Sequence, residues 1–327
     1  QYFRIPAKEI FIELLYRWIY CQETNKTCLK TKMADNTKHE ALKEALCNGK
    51  LANVNGAINK MKKEDIRKQL KLVGLDDRGV KEVIMRRLKN YYKKQKSVKP
   101  GKKTESASLP RLDYFVVIDF EGTCEEKNTA GYVHEIIEFP AILVNARTLE
   151  LEDEFHRYCR PLEKTVLSKF CQNLTGIKQE TVDAAKPFPD VLIEFNEWLE
   201  KHHLDLENDF VIATDGPWDM GKFLPEQCAL CGIPVPGYAS KWVNVRKHYR
   251  RYYKAEDYQS PLTLESIIEN LGMSFEGRPH SGIDDARNIA RILVKMIRDG
   301  LEPNVNDDIA YQTRFAEQRK AIKKLET

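Results

Sequence analysis

Apolar residues follow two different patterns along this chain, and the change falls near residue 111. Beyond it, short apolar runs typical of buried strands alternate with stretches in which apolar residues recur every three or four positions, as in amphipathic helices. Strands are predicted over residues 114–120, 135–145, 151–158, 210–213 and 242–245. Helices are predicted over residues 165–172, 178–185, 187–203, 218–231, 262–271 and 283–298. This alternation across residues 111–300 predicts an α/β domain with a mixed sheet flanked by helices.

A smaller, all-helical module is predicted before this domain, at residues 58–96. Its first helix has apolar residues at helical spacing, followed by a glycine where a helix would end: Ile66, Leu70, Val73 and Gly74. Its second helix has a longer apolar stripe: Val80, Val83, Ile84, Leu88, Tyr91 and Tyr92. The pattern therefore predicts two short helices joined by a turn over residues 74–79.

Two further segments have little apolar periodicity. Residues 97–110 contain two prolines, and we expect them to be a linker. Residues 301–327 are polar and charged, and we expect a C-terminal tail with one helix over residues 309–325.

The first 57 residues are expected to be a poorly ordered N-terminal extension. The first methionine is Met33, so residues 1–32 are interpreted as translated leader sequence. The alternative is that they contain an amphipathic helix around residues 10–20.

Charge is distributed unevenly along the chain. The formal net charge is +4, from 53 Lys and Arg against 49 Asp and Glu. Residues 58–104 alone hold 17 basic and 5 acidic residues, a net of +12, so the remainder carries −8. A basic block joined to an acidic body indicates a nucleic-acid partner.

Composition also bears on location. No run of 18 apolar residues is present, which excludes a membrane-spanning helix. The 8 cysteines have no regular spacing, which favours a reducing compartment. We expect the protein in the cytoplasm and nucleus, with the nucleolus as a further candidate, because basic runs such as residues 93–96 could act as an import signal.

Two carboxylates end the first predicted strand of the α/β domain. Asp119 and Glu121 follow a buried apolar run and are two residues apart, so they can share one face of the strand. Two like charges at the edge of a core are costly unless a cation neutralises them. A divalent metal ion would do so, although acidic residues also end strands without any function.

Two later segments bring further candidates. Asp215 and Asp219 lie where a strand runs into a turn and a helix, and either of them could instead only cap that helix. His280 lies in a loop rich in Gly and Pro, five residues before Asp285 and next to a helix start. Histidine can take a proton from water at neutral pH. Asp284, beside Asp285, could substitute for it in register.

These segments together resemble the DEDDh family of 3'-5' exonucleases, which has a ribonuclease-H-like fold. Asp119 and Glu121 match its first motif, Asp219 its second, and His280 with Asp285 its third. Two further strings are typical of that family: Glu135-Ile136-Ile137-Glu138-Phe139-Pro140 and Leu174-Thr175-Gly176-Ile177.

The helical module resembles the SAP motif, a small nucleic-acid-binding unit. The similarity rests on a Leu-x-x-x-Gly-Leu string, an Arg-Gly-x-Lys string and the basic helix that follows: residues 70–75, 78–81 and 86–96. A SAP-like module before a DEDDh domain resembles the family of histone-mRNA 3' exonucleases, also called enhanced-RNAi exonucleases. The resemblance covers residues 58–300.

This resemblance implies an active 3'-5' exoribonuclease that releases nucleoside 5'-monophosphates. Phosphodiester hydrolysis can be served by two divalent ions about 3.5–4 Å apart, and oxygen ligands suit Mg²⁺, with Mn²⁺ able to substitute. We assign four metal ligands, Asp119, Glu121, Asp219 and Asp285, with Asp119 as the candidate to bridge both ions. His280 is assigned as the general base, and Trp218 as a residue that stacks on the terminal base, with core packing as its alternative role.

The expected substrate is structured RNA, such as a histone mRNA stem-loop with a single-stranded 3' tail, a ribosomal RNA 3' end or a small RNA duplex. The basic module is expected to bind phosphates, with Arg87 as the first choice from the resemblance, through Arg78, Lys81, Arg86, Arg87, Lys89, Lys93 and Lys94. A solvated helix face is their alternative role. A stem-loop-binding protein and the ribosome are candidate partners, and a monomer is expected.

Two other functions remain open on the residues alone. An RNA-binding scaffold with minor catalysis would use the same basic module. A DNA 3'-5' exonuclease is the other, because charge reads phosphates whatever the sugar.

Overall fold

The computed structural model describes residues 42, 51–97, 112–127, 132–204, 209–254 and 262–310. The chain divides into two compact units, residues 1–50 and 51–327, and the following concerns the second unit. The expected leader, the linker and most of the tail lie outside the described residues. No helix in the described part of the chain is long and apolar enough to cross a membrane.

An eight-stranded mixed sheet forms the centre of the unit. Its strands run in the order β5-β4-β3-β1-β6-β7-β8, and β2 pairs with β3. The strands are β1 (Tyr114–Ile118), β2 (Glu121–Gly122), β3 (Ile136–Asn145), β4 (Leu151–Arg160), β5 (Lys186–Pro187), β6 (Phe210–Thr214), β7 (Lys241–Asn244) and β8 (Asp307–Asp308). The central strand β1 is antiparallel to β3 and parallel to β6. The predicted mixed sheet is confirmed.

Helices cover both faces of this sheet. The helices are α1 (Leu51–Asn59), α2 (Lys63–Leu72), α3 (Lys81–Ser97), α4 (Lys169–Thr175), α5 (Gln179–Asp183), α6 (Phe188–Lys201), α7 (Leu224–Leu230), α8 (Val245–Tyr253), α9 (Leu264–Asn270) and α10 (Gly282–Arg298). A π-helical turn, Asp219–Phe223, precedes α7, and a 3₁₀ turn, Gly237–Ala239, precedes β7.

The alternation of side chains along β1 separates two cores. Phe115 and Val117 pack in the core that contains α8, α9 and α10, whereas Val116 and Ile118 pack in the core under α6 and α7. Successive residues of a strand point to opposite faces. Continuing this period places the residue after Ile118 on the α10 side, where Asp285 lies.

Two helices appear where the apolar pattern predicts none. Helix α1 begins within the segment expected to be poorly ordered, so the helical module extends to residue 51 and has three helices. Helix α8 follows β7 without a loop, and Asn244 caps it by accepting a hydrogen bond from the Lys247 N–H at 2.9 Å. The buried face of α8 consists of Val245, a histidine and tyrosines rather than aliphatic residues, which conceals its period.

The helical module is joined to the core of the α/β domain by buried contacts. Val83 of α3 belongs to the core that contains α8, α9 and α10. The Val80 N–H donates to the Asn270 carbonyl at 2.8 Å. Gly79, at φ +119°, lies so close to that carbonyl that an added Cβ would be 2.9 Å from it. Close backbone approach therefore fixes the start of α3 against the end of α9.

A buried ion pair completes this junction. Arg87 and Asp299, at the end of α10, are 4% and 3% exposed, and the guanidinium donates to both carboxylate oxygens at 2.7 and 2.9 Å. The Tyr253 hydroxyl donates to the same carboxylate at 2.9 Å. Burial disfavours a charged guanidinium, but the bond to Asp299 and its charge outweigh burial, so the pKa of Arg87 is raised above its ordinary value.

The expectation that Arg87 binds RNA phosphates is therefore corrected. Its guanidinium is occupied by Asp299 and by the carbonyls of Asp76 and Arg78, and it has almost no exposed surface. Sequence similarity places an arginine at this position but does not show which way it points. In this structure Arg87 joins the module to the α/β domain.

We expect Arg87→Ala to lower the free energy of unfolding by about 3–5 kcal/mol, because it leaves the Asp299 carboxylate buried without its partner. Chemical denaturation checks this. The matched control is Arg78→Ala, since Arg78 is 66% exposed in its pair with Asp76 and should cost less than about 1 kcal/mol. Unchanged stability of Arg87→Ala with weakened RNA binding would restore the original assignment.

Candidate active site

Three structural elements bring four carboxylates to the end of β1. Asp119 and Glu121 follow β1 directly, and Glu121 lies in the short strand β2. Asp219 begins the π-helical turn after β6, and Asp285 lies in the first turn of α10. Strand β6 is parallel to β1, so both strands end at the same edge of the sheet. The structure thus gathers all four residues assigned as metal ligands.

Three of these side chains form a tight group. Carboxylate oxygens of Asp119, Glu121 and Asp285 lie within 4.8 Å of one another. Asp219 is not part of this tight group, and its Oδ1 accepts a hydrogen bond from the Phe120 N–H at 2.9 Å. Phe120 itself is buried in the core under α6 and α7, as expected for a residue between Asp119 and Glu121.

Burial and proximity raise the pKa values of these carboxyls. Burial raises the pKa of Asp119 well above its ordinary value, and the charges of Asp219, Asp285 and Glu121 raise it further. Burial likewise raises the pKa of Glu121, with Glu138 as the next cause. It also raises the pKa of Asp219 and of Asp285 to about 7. Such raised pKa values indicate that no positive charge near these carboxyls, among the described residues, offsets their burial and mutual repulsion.

The donor set fits a divalent cation. Asp285 Oδ1 is buried and has no hydrogen-bond partner among the described residues, while its Oδ2 accepts from the His280 N–H at 3.0 Å. A buried carboxylate oxygen without a donor is costly unless something cationic faces it. Oxygen-only ligands are those that Mg²⁺ and Mn²⁺ prefer. Asp119, Glu121 and Asp285 would hold the ion, with Asp219 beside them.

His280 lies at the open side of this cluster. It is exposed and adopts a left-handed backbone conformation, φ +62°. Its own N–H is fixed by Asp285, so the backbone of the loop is held while the imidazole stays in solvent. A non-glycine residue held at positive φ often marks a functional site.

Trp218 is the large exposed aromatic beside Asp219. It is 57% exposed, and the Lys222 ammonium lies 4.8 Å from its ring centre. Core packing, its alternative role, is therefore contradicted. The ring offers a surface for base stacking.

The two doubtful acids have structural partners. Asp215 pairs with Arg246. Asp284 accepts from the Arg278 N–H at 3.0 Å and pairs with Arg287 at 2.9 Å. Asp285 rather than Asp284 therefore faces the cluster.

Glu138 is a site residue to which the motifs assign no role. It lies on β3, is 2% exposed, and pairs in the sheet with Glu121. Its carboxylate accepts from the N–H groups of Gly282 and Ile283 at 3.0 and 3.2 Å. His156 Nε2 lies 2.8 Å from the same carboxylate. Ser281 makes no side-chain cap, so Glu138 caps α10 from the sheet and positions Asp285.

Glu135 performs a similar task for the neighbouring loop. Its carboxylate is 1% exposed and accepts N–H groups from three successive residues at 2.6–3.2 Å: Leu162, Glu163 and Lys164. In the sequence, both acids belong to the family-typical motif over residues 135–140. The motif indicates that they matter, but it does not show which backbone groups they bind.

The cations of the helical module differ in exposure and in the contacts that they make. Lys93 and Lys94 are exposed, and Lys81 is partly exposed. Arg78 pairs with Asp76 at 3.0 Å, and Lys89 donates to Asn59. Arg86 Nε donates to the Tyr252 carbonyl at 2.7 Å, a bond that does not use the two terminal guanidinium nitrogens of Arg86. These positions, apart from Arg87, remain predictions for RNA binding.

Family models match both parts of the chain. A model described as "Exonuclease" matches residues 116–293, a range that includes all four carboxylates and His280. A model described as "SAP domain" matches residues 57–93.

Curated relatives extend across both matches. A protein of Mus musculus named 3'-5' exoribonuclease 1 is 49% identical over 259 residues, which cover 79% of this chain and 74% of that protein. Its Homo sapiens counterpart is 46% identical over 286 residues, covering 88% and 79%.

Solved structures agree with the fold. One, described as 3'-end-specific recognition of the histone mRNA stem-loop by 3'-exonuclease, is 47% identical, has a TM-score of 0.59 and covers 79% of this chain and 88% of that chain. Another, the nuclease domain of 3'hExo, described as a DEDDh family member bound to rAMP, is 47% identical with a TM-score of 0.59, covering 62% and 100%.

The raised carboxyl pKa values predict an unusual pH dependence of stability. Between their unfolded values near 4 and about 7, the folded protein holds more protons than the unfolded chain, so stability falls as pH rises, by roughly 1.4 kcal/mol per pH unit for each proton. We expect the Tm in chelator to fall between pH 5 and 8, and divalent ions to restore it at pH 8. Asp219→Asn should flatten the dependence. A Tm that rises over this range would contradict the carboxyl cluster.

Replacing Glu138 tests its positioning role. Glu138→Gln keeps the shape but removes the charge that caps α10, so we expect apparent Mn²⁺ affinity and kcat each to fall about 10–100-fold with KM for RNA unchanged. The matched control is Glu154→Gln, because Glu154 binds Arg287 of the same helix at an exposed position. Equal effects of the two variants would mean that Glu138 has no special role.

Proposed function

The chain belongs to the exonuclease family of the 3'-5' exoribonucleases, and from this premise we propose that it removes nucleoside 5'-monophosphates from the 3' end of structured RNA. The observation that carries the proposal is the carboxylate cluster with its unpartnered Asp285 oxygen, beside the exposed His280. The fold class and the resemblance to DEDDh exonucleases are confirmed by the family matches.

Use of a divalent metal follows from the family and the cluster. We propose Mg²⁺, two ions per site, with Mn²⁺ able to substitute; Asp119, Glu121, Asp219 and Asp285 would hold the ions. Such ions lower the pKa of water and stabilise charge on phosphoryl and leaving oxygens. Four carboxylates, with two at raised pKa near neutrality, match the charge of two divalent cations better than that of one.

The chain's own residues supply the rest of the reaction. Asp119, Glu121, Asp219 and Asp285 orient the reacting phosphate by fixing the cations. His280 takes the proton of the attacking water, for which an exposed imidazole on a fixed backbone is suited. The electron pair of the broken P–O bond leaves with the 3' oxygen of the shortened RNA.

Substrate recognition combines two surfaces. Trp218 stacks on the terminal base, a contact that contributes about 1–3 kcal/mol by alanine substitution. The helical module binds phosphates farther along the RNA through six of its cations: Arg78, Lys81, Arg86, Lys89, Lys93 and Lys94. The relatives named as exoribonucleases and the neighbour described with a histone mRNA stem-loop support RNA over DNA.

We also propose a biological setting. A stem-loop with a single-stranded 3' tail is the favoured substrate class, with ribosomal RNA 3' ends and small RNA duplexes as others. The protein is proposed to act as a monomer in the cytoplasm and nucleus, including the nucleolus. A stem-loop-binding protein and the ribosome are the proposed partners.

Product analysis with site variants tests the function. We expect hydrolysis of a 3'-tailed RNA stem-loop with Mg²⁺ to yield nucleoside 5'-monophosphates, and Asp119→Asn to abolish it. His280→Ala should lower kcat by roughly 10²–10⁴ while Mn²⁺ affinity is kept, because a base does not hold the ion.

Two controls accompany this assay. Asp190→Asn removes an exposed acid of α6 and should leave the rate unchanged. A matched DNA stem-loop should be cut more slowly. Faster cutting of DNA would sink the RNA assignment, and loss of Mn²⁺ affinity in His280→Ala would make His280 a ligand.

A further inference from the structure

Helix α8 presents a basic face that no motif assigns. Arg250, Arg251 and Lys254 are exposed, and they form no ion pair within the described part of the chain. Arg250 and Arg251 lie in the last turn of α8, and Lys254 follows them as the C-cap of the helix, in a left-handed conformation. The opposite side of α8 is buried through Tyr249 and Tyr253.

Several other arginines of the nuclease domain are paired with carboxylates. Arg157 binds Glu194, Arg287 binds Glu154, and Arg291 binds Glu276, all at 2.6–2.8 Å. The contrast matters because this domain belongs to the acidic part of the chain. Carboxylates thus pair with arginines elsewhere in this domain, whereas Arg250, Arg251 and Lys254 have no carboxylate partner among the described residues.

This basic face continues that of the helical module. Helix α3 packs against α8, and the guanidinium of Arg86 lies 5.0 Å from the ring centre of Tyr252. Burial lowers the pKa of Lys89, and the charges of Arg86 and Lys254 lower it further, which places all three cations near one another. Like charges held together are destabilising unless an anion binds them.

We propose that α8 is part of the RNA-binding surface, with Arg250, Arg251 and Lys254 binding backbone phosphates of the double-stranded region of the RNA beside Arg86 and Lys89. This inference rests on the proposed function, which supplies the RNA, but it concerns residues outside the SAP match and outside the active site. The surface of these five residues is called the junction surface.

The side chains of the junction surface favour a duplex over a single strand. Proteins bind single strands by stacking bases on exposed aromatic rings, whereas they bind RNA duplexes mainly through phosphates and sugar hydroxyls. The ring of Tyr252 is covered by Arg86 and its hydroxyl donates to the Asp299 carbonyl at 2.7 Å, while Tyr253 is buried. The exposed ring of Trp218 is at the active site, which suits the unpaired 3' tail.

The two halves of the junction surface are also fixed together. Arg86 Nε donates to the Tyr252 carbonyl at 2.7 Å, and Asn90 Nδ2 donates to the Asp299 carbonyl at 2.7 Å. The buried Arg87–Asp299 pair lies underneath. A surface held rigid before binding loses little freedom when the RNA arrives.

Charge removal on α8 tests the inference. Binding of two probes is measured in chelator across a salt series: a 3'-tailed RNA stem-loop and a single strand of equal length that cannot pair. In a separate assay, hydrolysis of a four-nucleotide RNA is measured with Mg²⁺. For Arg250→Gln/Arg251→Gln we expect stem-loop affinity to fall about tenfold or more at 0.1 M salt. The log–log salt slope should fall by about 0.9 per lost contact. Adding Lys254→Gln should extend both effects.

The matched control removes two exposed cations elsewhere, Arg160→Gln/Lys241→Gln. The inference is supported if the control keeps stem-loop affinity, if the single strand is bound equally by wild type and the α8 variant, and if that variant hydrolyses the four-nucleotide RNA at the wild-type rate. It is overturned if the α8 variant binds the stem-loop with unchanged affinity and slope, if the control loses as much, or if the single strand is weakened equally. Failure of the wild type to hydrolyse the short RNA would instead refute the proposed function, while the binding comparison still stands.

Discussion

Like-charge repulsion among Asp119, Glu121, Asp219 and Asp285 is the constraint on which the site depends. Four carboxylates at one edge of a sheet are unfavourable without cations, and the raised pKa values of Asp219 and Asp285 express that cost. The arrangement persists because each acid is carried by an element fixed elsewhere. Asp119 and Glu121 follow the central strand, while Asp285 belongs to a helix whose other side is buried in the core.

Backbone hydrogen bonds to buried acids then set the distances within the site. Glu138 accepts from the first N–H groups of α10, and Glu135 accepts from the loop over residues 162–164. Glu135 directly precedes β3 and Glu138 lies near its start, so both acids add negative charge close to the carboxylate cluster. The benefit is geometric: a carboxylate that accepts several N–H bonds fixes its donors more strongly than a neutral acceptor would. Glycine at position 282 allows this approach, since a Cβ there would lie 2.9 Å from the Asp119 carbonyl.

The sequence predicts the parts of this structure that obey a period or a spacing. Alternation along β1 places Asp119 and Glu121 together and turns Phe120 inward, and helical spacing predicts α6 and α10. It does not predict α8, whose buried face carries tyrosines and a histidine. Nor does it reveal Glu138, because the role of that acid depends on helix α10, more than 140 residues later in the chain.

Arg87 shows the same limit for charge. Counted along the sequence, it adds to the basic block, yet its charge is cancelled by Asp299 within the buried junction. Conversely, Arg250, Arg251 and Lys254 are counted in the acidic remainder, but they lie beside the module and form no ion pair with any residue that the structure describes. The exposed positive charge therefore extends from the module onto α8, whereas counting charges along the sequence assigns it to the module alone. Because a phosphate responds to the charges exposed in space rather than to their order in the chain, we expect the junction between module and domain, and not the module alone, to attract RNA.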